Sequence, residues 1–170
     1  MLTIRNASFD DAPAIRNLYN ALIPTTTGAW TETLETLKQR QAWLRRQQQA
    51  GYPVLVAEAN ATVIGFSTYS SFRDEGRWPG YRYTVEHSIH VEQTNWGGGV
   101  GRALMEALIH RARIADVHVM VGAIDSDNVA SLRFHERLGF TPVALMPQVG
   151  RKFERWLDLI LVQRILDGAT

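Results

Sequence analysis

Residues 84–108 read TVEHSIHVEQTNWGGGVGRALMEAL, and this stretch constrains the rest of the chain more than any other. A β-rich run passes into a loop built on Gly97, Gly98, Gly99 and Gly101, and then into an apolar-periodic helix. Four glycines at a strand-to-helix junction let the backbone approach a ligand closely, and the following helix aims its unpaired N–H groups and positive dipole end at the same point. Such a loop suits a phosphate. A G-x-G-x-x-G pattern fails, because Arg102 or Leu104 falls where the third glycine belongs, and no Gly-Lys-Ser or Gly-Lys-Thr follows to make a P-loop. A plain tight turn is the competing reading.

The chain in order supplies the surrounding elements. Residues 2–7 form a first strand, and Asp10 and Pro13 mark a helix start whose stripe is Ile15, Leu18, Tyr19 and Leu22. Pro24, residues 25–27 and Gly28 break it. A second helix is expected from near Thr33, with Leu34, Leu37 and Leu44 inward and Gly51 as its stop. Its RRQQQ face, residues 45–49, is a solvated surface. Residues 53–59 and 62–72 form a β-hairpin through Asn60 and Ala61, and the polar stretch 73–82 interrupts the strands until residues 84–92. After the glycine loop comes a helix with Val100, Leu104, Ala107 and Leu108 inward. A strand over 118–124 follows, then N-cap residues 125–128 and a helix closed by Gly139. Two last strands lie at 141–149 and 152–165. The order βααβββαβαββ predicts a single α/β domain over residues 1–170, a mixed central sheet with helices on both faces.

Composition narrows the function. At 170 residues the chain is long enough for a buried core, and a formal net charge of +1 argues against a nucleic-acid-binding face. The absence of cysteine excludes a disulfide framework, a thiolate metal site and a cysteine nucleophile. No apolar run reaches membrane-spanning length, and the amino terminus has no basic start with a long apolar core, so a cytoplasmic protein is expected.

The run Gly97-Gly98-Gly99-Val100-Gly101 resembles the acyl-CoA pyrophosphate loop of the GNAT N-acetyltransferases, Arg/Gln-x-x-Gly-x-Gly/Ala, with Trp96 departing at the first position. Asn128-x-x-Ser131 followed by His135-Glu136-Arg137-Leu138-Gly139-Phe140 is similar to that family's later motif. The strings TVEHSIHV, HVMVGAI and MPQVGRKFERWLDL resemble the phosphinothricin and methionine sulfone acetyltransferase branch across nearly the whole chain. This resemblance implies the GNAT acyl-CoA N-acyltransferase fold, acetyl-CoA as co-substrate and a small-molecule amine as acceptor. It also implies a homodimer. Gly97, Gly98, Gly99, Val100, Gly101, Arg102 and Asn128 would hold the cofactor, and Ile89, His90 and Val91 would pair with its pantetheine arm. Arg73, Asp74, Glu75, Glu86, His87 and Ser88 would line the substrate pocket.

Amide formation from a thioester needs an amine without its proton and a proton for the departing thiolate. Glu86 is the expected base, its alternative being an ordinary paired glutamate on a sheet face. Strand alternation puts Glu86, Ser88 and His90 on one face and His87, Ile89 and Val91 on the other, unless a bulge intervenes. His87 and His90 therefore face apart, and no shared metal is expected. His135 is the second candidate, as acid or as relay, against a helix-surface histidine packed over Leu138. Trp30 and Tyr83 read as core or wall. A GNAT enzyme for another amine, a polyamine or a protein N-terminus, and an acyl-CoA-binding domain without turnover remain alternatives.

Overall fold

The computed structural model describes residues 1–166. Its elements are β1 (Leu2–Asn6), α1 (Ala12–Leu22), α2 (Leu37–Gln49), β2 (Val54–Ala59), β3 (Thr62–Ser71), β4 (Thr84–Val91), α3 (Val100–Ile114), β5 (Val119–Asp125), α4 (Val129–Arg137), β6 (Thr141–Lys152) and β7 (Arg155–Ile165). The order is the one that the hydrophobic periods predict. Seven strands form one sheet, β1-β2-β3-β4-β5-β7-β6, in which only β4 and β5 run parallel.

Each face of the sheet has its own core. On one side α1 and α2 pack Ile15 and Leu44 against Val56 and Phe66. On the other, Leu104, Met105 and Leu108 of α3 and Leu138 after α4 meet Met120 and Phe140. Fully burying one such side chain contributes about 1.5–3 kcal/mol. Among the described residues no helix is long and apolar enough to cross a membrane.

Two boundaries differ from the sequence reading. The second helix starts at Leu37, because Thr36 caps it by accepting from the Gln39 N–H while the Gln39 side chain accepts from the Thr36 N–H at 2.8 Å. Leu34 consequently precedes the helix and is exposed instead of facing inward. The sixth strand continues to Lys152, and its hairpin turns at Phe153 and Glu154, both with positive φ.

What positions the site is the parting of β4 from β5. Their ladder has only three rungs, Thr84 with Val119, Val85 with Met120 and Glu86 with Val121. Beyond Glu86, β4 stays paired with β3 as far as Val91, so its other edge is open.

Candidate active site

The β3–β4 register runs without a bulge from Val85 to Val91, so strict alternation holds. Glu86, Ser88 and His90 project toward α1 and α2, and His87, Ile89 and Val91 toward α3 and α4. The neighbours agree. His90 stacks on Phe66 at 4.8 Å between ring centroids and meets Tyr19 edge-on, while His87 stacks on His135 at 5.0 Å. The two histidines of β4 thus belong to different layers. Among the described residues no group of three or more His, Asp or Glu is placed to hold a metal ion.

Glu86 is half-buried at the last rung of the parallel ladder. Burial pushes its pKa above the ordinary carboxylate value, and the Arg73 guanidinium pulls partly the other way. Arg73 is exposed and lies over the Phe72 ring at 5.2 Å. Glu86, Arg73 and the exposed Ser88 therefore share one end of the site. Two of the expected pocket residues are committed elsewhere. Asp74 holds a turn, its Oδ1 accepting from the N–H groups of Gly76 and Arg77, and Glu75 accepts from the Tyr52 hydroxyl at 3.3 Å. The His87 ring lies on the opposite face, so only its backbone can reach a group beside Glu86.

Backbone direction decides which residues face the gap. The Glu92 N–H donates to the Ile64 carbonyl and the Phe72 N–H to that of Thr84, so even-numbered residues of β4 serve β3, whereas Ile89 and Val91 face the open edge. His90 does not join them: its backbone belongs to the β3 ladder and its ring to the Phe66 stack. Trp96 donates its indole N–H to the Val91 carbonyl at 2.8 Å, folding the glycine loop back onto this edge.

The loop itself fits an anionic group. Gly97 and Gly99 have φ of +78° and +82°, a region that side-chain-bearing residues rarely adopt, and open space surrounds both. Gly99 is the N-cap of α3 and no side chain caps that end, which leaves the first N–H groups of the helix for a ligand. Gly98 and Arg102 are exposed, the latter paired with Glu106 at 2.7 Å. Gly101 faces the Phe134 ring, where a Cβ would sit 3.4 Å away, and the Val100 side chain is buried. Asn128 accepts from the Ser131 N–H at 3.0 Å, so its side-chain oxygen starts α4 and its NH₂ remains to donate.

His135 lies 2.7 Å from the Ser131 carbonyl through Nδ1, and only an N–H can make that contact. The hydrogen bond assigns the neutral ring as the Nδ1–H tautomer, with a bare Nε2. That atom is buried and has no partner among the described residues, and burial holds the pKa below the usual histidine value.

Three features escaped the sequence reading because they are long-range. Gly122 of β5 lies under the His87 ring. Lys152 Nζ donates to the carbonyls of Thr26 and Ala29 at 2.6 and 2.7 Å, and Gly150 lies so close to Trp30 that an added Cβ would stand 2.0 Å from its ring. These last contacts fasten the segment between α1 and α2 to the β6–β7 hairpin. Tyr83, read as core or wall, is exposed.

Residues 15–140 match the acetyltransferase (GNAT) family. The chain is 47% identical over 166 residues to the L-methionine sulfoximine/L-methionine sulfone acetyltransferase of Salmonella typhimurium, covering 98% of this chain and 95% of that protein. It is 33% identical to a phosphinothricin N-acetyltransferase of Alcaligenes faecalis, over 98% and 83% of the two. Among solved structures, the ribosomal-protein-alanine N-acetyltransferase of Brucella melitensis superposes with a TM-score of 0.93 at 41% identity, covering 96% of this chain and 99% of that one. The Salmonella typhimurium protein yncA, solved with its cofactor acetyl-CoA, gives 0.92 at 45% identity, over 98% and 94%.

Proposed function

The chain belongs to the acetyltransferase (GNAT) family, and from that premise we propose that it acetylates the α-amino group of small amino-acid analogues such as methionine sulfoximine, methionine sulfone and phosphinothricin. The observation that carries this reading is the half-buried Glu86 at the end of the β4–β5 ladder, within reach of the charge of Arg73. The chain's end-to-end similarity to enzymes bearing those names supports it.

An amine of this kind is mostly protonated at neutral pH. Glu86 takes its proton, directly or through a water, and its raised pKa makes it a better base than a solvated carboxylate. Arg73 offers a guanidinium fork to the carboxylate of the substrate, and Ser88 lies on the same face. Acetyl-CoA supplies the activated acetyl group as a thioester. Residues 97–102 cradle its pyrophosphate through backbone N–H groups, Asn128 adds a side-chain donor, and the Ile89 and Val91 edge receives the pantetheine arm. His135 serves proton transfer at the thiol. The working unit is a single-domain protein acting in the cytoplasm as a homodimer. Its proposed interface is the apolar surface that β6 and β7 expose at Val143, Leu145, Met146, Val149 and Trp156.

A second reading, transfer to a protein N-terminus, is favoured by the likeness to the Brucella enzyme. A polyamine fits less well, because the segment 73–82 carries Arg73, Arg77 and Arg82 against Asp74 and Glu75. Thiol release from acetyl-CoA, measured with the three analogues, free amino acids, spermidine and a peptide with N-terminal alanine, separates these. Turnover with the analogues supports the proposal. Turnover confined to the peptide favours the second reading, and acetyl-CoA binding without amine-dependent release reveals a binding domain.

A further inference from the structure

Where β4 and β5 part, the first residues beyond their shared ladder are His87 and Gly122. Gly122 has no positive φ to explain it, and a Cβ built on it would stand 2.8 Å from His87 Nε2 and 3.1 Å from Val162. The glycine leaves room for the imidazole. On its other side that imidazole meets His135, with the ring planes 24° apart. Phe140 packs its edge against both rings, at 5.3 and 5.4 Å, and Phe134 against His135 at 5.1 Å. His135 is thereby enclosed by His87, two phenylalanines and the Ser131 carbonyl.

This enclosure is costly. His87 Nδ1, His87 Nε2 and His135 Nε2 are all buried without a hydrogen-bond partner among the described residues. Burial and the neighbouring His135 push His87 down to about 3, so both rings are neutral at physiological pH. A neutral His135 whose Nδ1–H is given to Ser131 has no proton to donate from Nε2 and can only accept one there.

We infer that His87 is a positioning residue for His135: seated on Gly122 where the strands part, its ring holds His135 in the orientation and tautomer that leave Nε2 bare. His135 then works as a relay. One proton passes from the nitrogen of the tetrahedral adduct to Nε2, giving an imidazolium whose Nδ1–H stays on Ser131; as the C–S bond breaks, the same proton leaves Nε2 for the released thiolate, restoring the neutral ring and leaving the amide. This inference rests on the proposed role of His135 at the thiol.

Three variants test it: His87→Phe keeps a stacking ring, His87→Ala removes it, and Gly122→Ala fills its seat. The readouts are imidazole ¹⁵N chemical shifts and separate kcat and KM values. His87→Phe is expected to keep one His135 tautomer and near-normal kcat. His87→Ala and Gly122→Ala are expected to give mixed tautomers and a kcat lower by about 10-fold or more, with both KM values unchanged. If His87→Ala does not fold, Gly122→Ala makes the same displacement with one methyl group. Unchanged ¹⁵N shifts and kcat in the displaced variants overturn the inference, as does a loss in His87→Phe equal to that in His87→Ala. A His135→Ala enzyme with full turnover instead removes the role assigned to His135 itself.

Discussion

Glu86 faces Val121 across the last rung of the β4–β5 ladder, and the residues that follow on the two strands no longer pair. The proposed base thus stands at the mouth of the gap whose edge carries the backbone groups of Ile89 and the Val91 N–H, the Val91 carbonyl being taken by Trp96. His135 approaches the same gap from the other face of the sheet, through the His87 ring. The proposed proton acceptor for the amine and the proposed relay for the thiol lie on opposite sides of one strand.

Cofactor affinity depends on backbone shape in the glycine loop. Gly99→Val forces a β-branched residue into the left-handed region, at a cost of roughly 1–2 kcal/mol, and aims its side chain at the space left for phosphate. Calorimetry should show acetyl-CoA binding weakened at least about 10-fold with the fold intact. Gly98→Ala, at a position without positive φ, should lose much less. Equal affinities in both variants and the parent would remove the phosphate site from this loop.

Acid stability carries the signature of buried neutral histidines. Burial, with the charge of Arg40 nearby, holds His90 down at about 4 instead of 6.5. Between those values the unfolded chain binds a proton that the folded chain refuses, so stability falls as pH drops below about 6.5. The slope approaches about 1.4 kcal/mol per pH unit for each such histidine, and His87 adds to it. Thermal melts from pH 7.5 to 5 should show this decline, and His90→Phe should make it shallower. An unchanged slope in that variant contradicts the assignment.

The Lys152 clamp predicts a mechanical effect. Lys152→Met leaves the carbonyls of Thr26 and Ala29 without their donor, so hydrogen exchange and proteolysis across residues 24–36 should rise while the sheet stays protected. Gly150→Ala should act in the same direction through Trp30. Protection of residues 24–36 equal to that of the parent in both variants would show that something else holds this segment.

The exposed apolar surface of β6 and β7 predicts self-association. Leu145 and Trp156 are 59% and 61% exposed, and Leu145→Glu with Trp156→Glu should convert a homodimer into monomers in sedimentation. A parent chain that sediments as a monomer of about 19 kDa at assay concentration rules the dimer out.

Much of this was legible in the residues, and the reasons differ by feature. Element order followed from periodicity, which is local, and the faces of β4 followed from alternation because no bulge intervenes. The start of α2 was also written in the sequence: Thr36-Leu37-Lys38-Gln39 is a capping box, and the leucine at position 34 drew the helix too far back. The remaining features were not local. That Gly122 seats His87 and that Lys152 reaches across 126 residues of chain to Thr26 depend on strands meeting in three dimensions. The family resemblance groups His90 with Ile89 and Val91, yet on a strand adjacent residues present their backbone groups to opposite sides.

The most direct measurement is the pH–rate profile of acetyl transfer to methionine sulfone, comparing the parent enzyme with Glu86→Gln. The parent should show an acidic limb set by a carboxylate of raised pKa, while the variant should lose that limb and about 10²–10⁴-fold of kcat with acetyl-CoA affinity unchanged. Near-normal turnover with the same limb in Glu86→Gln would contradict the assignment of Glu86 as the base.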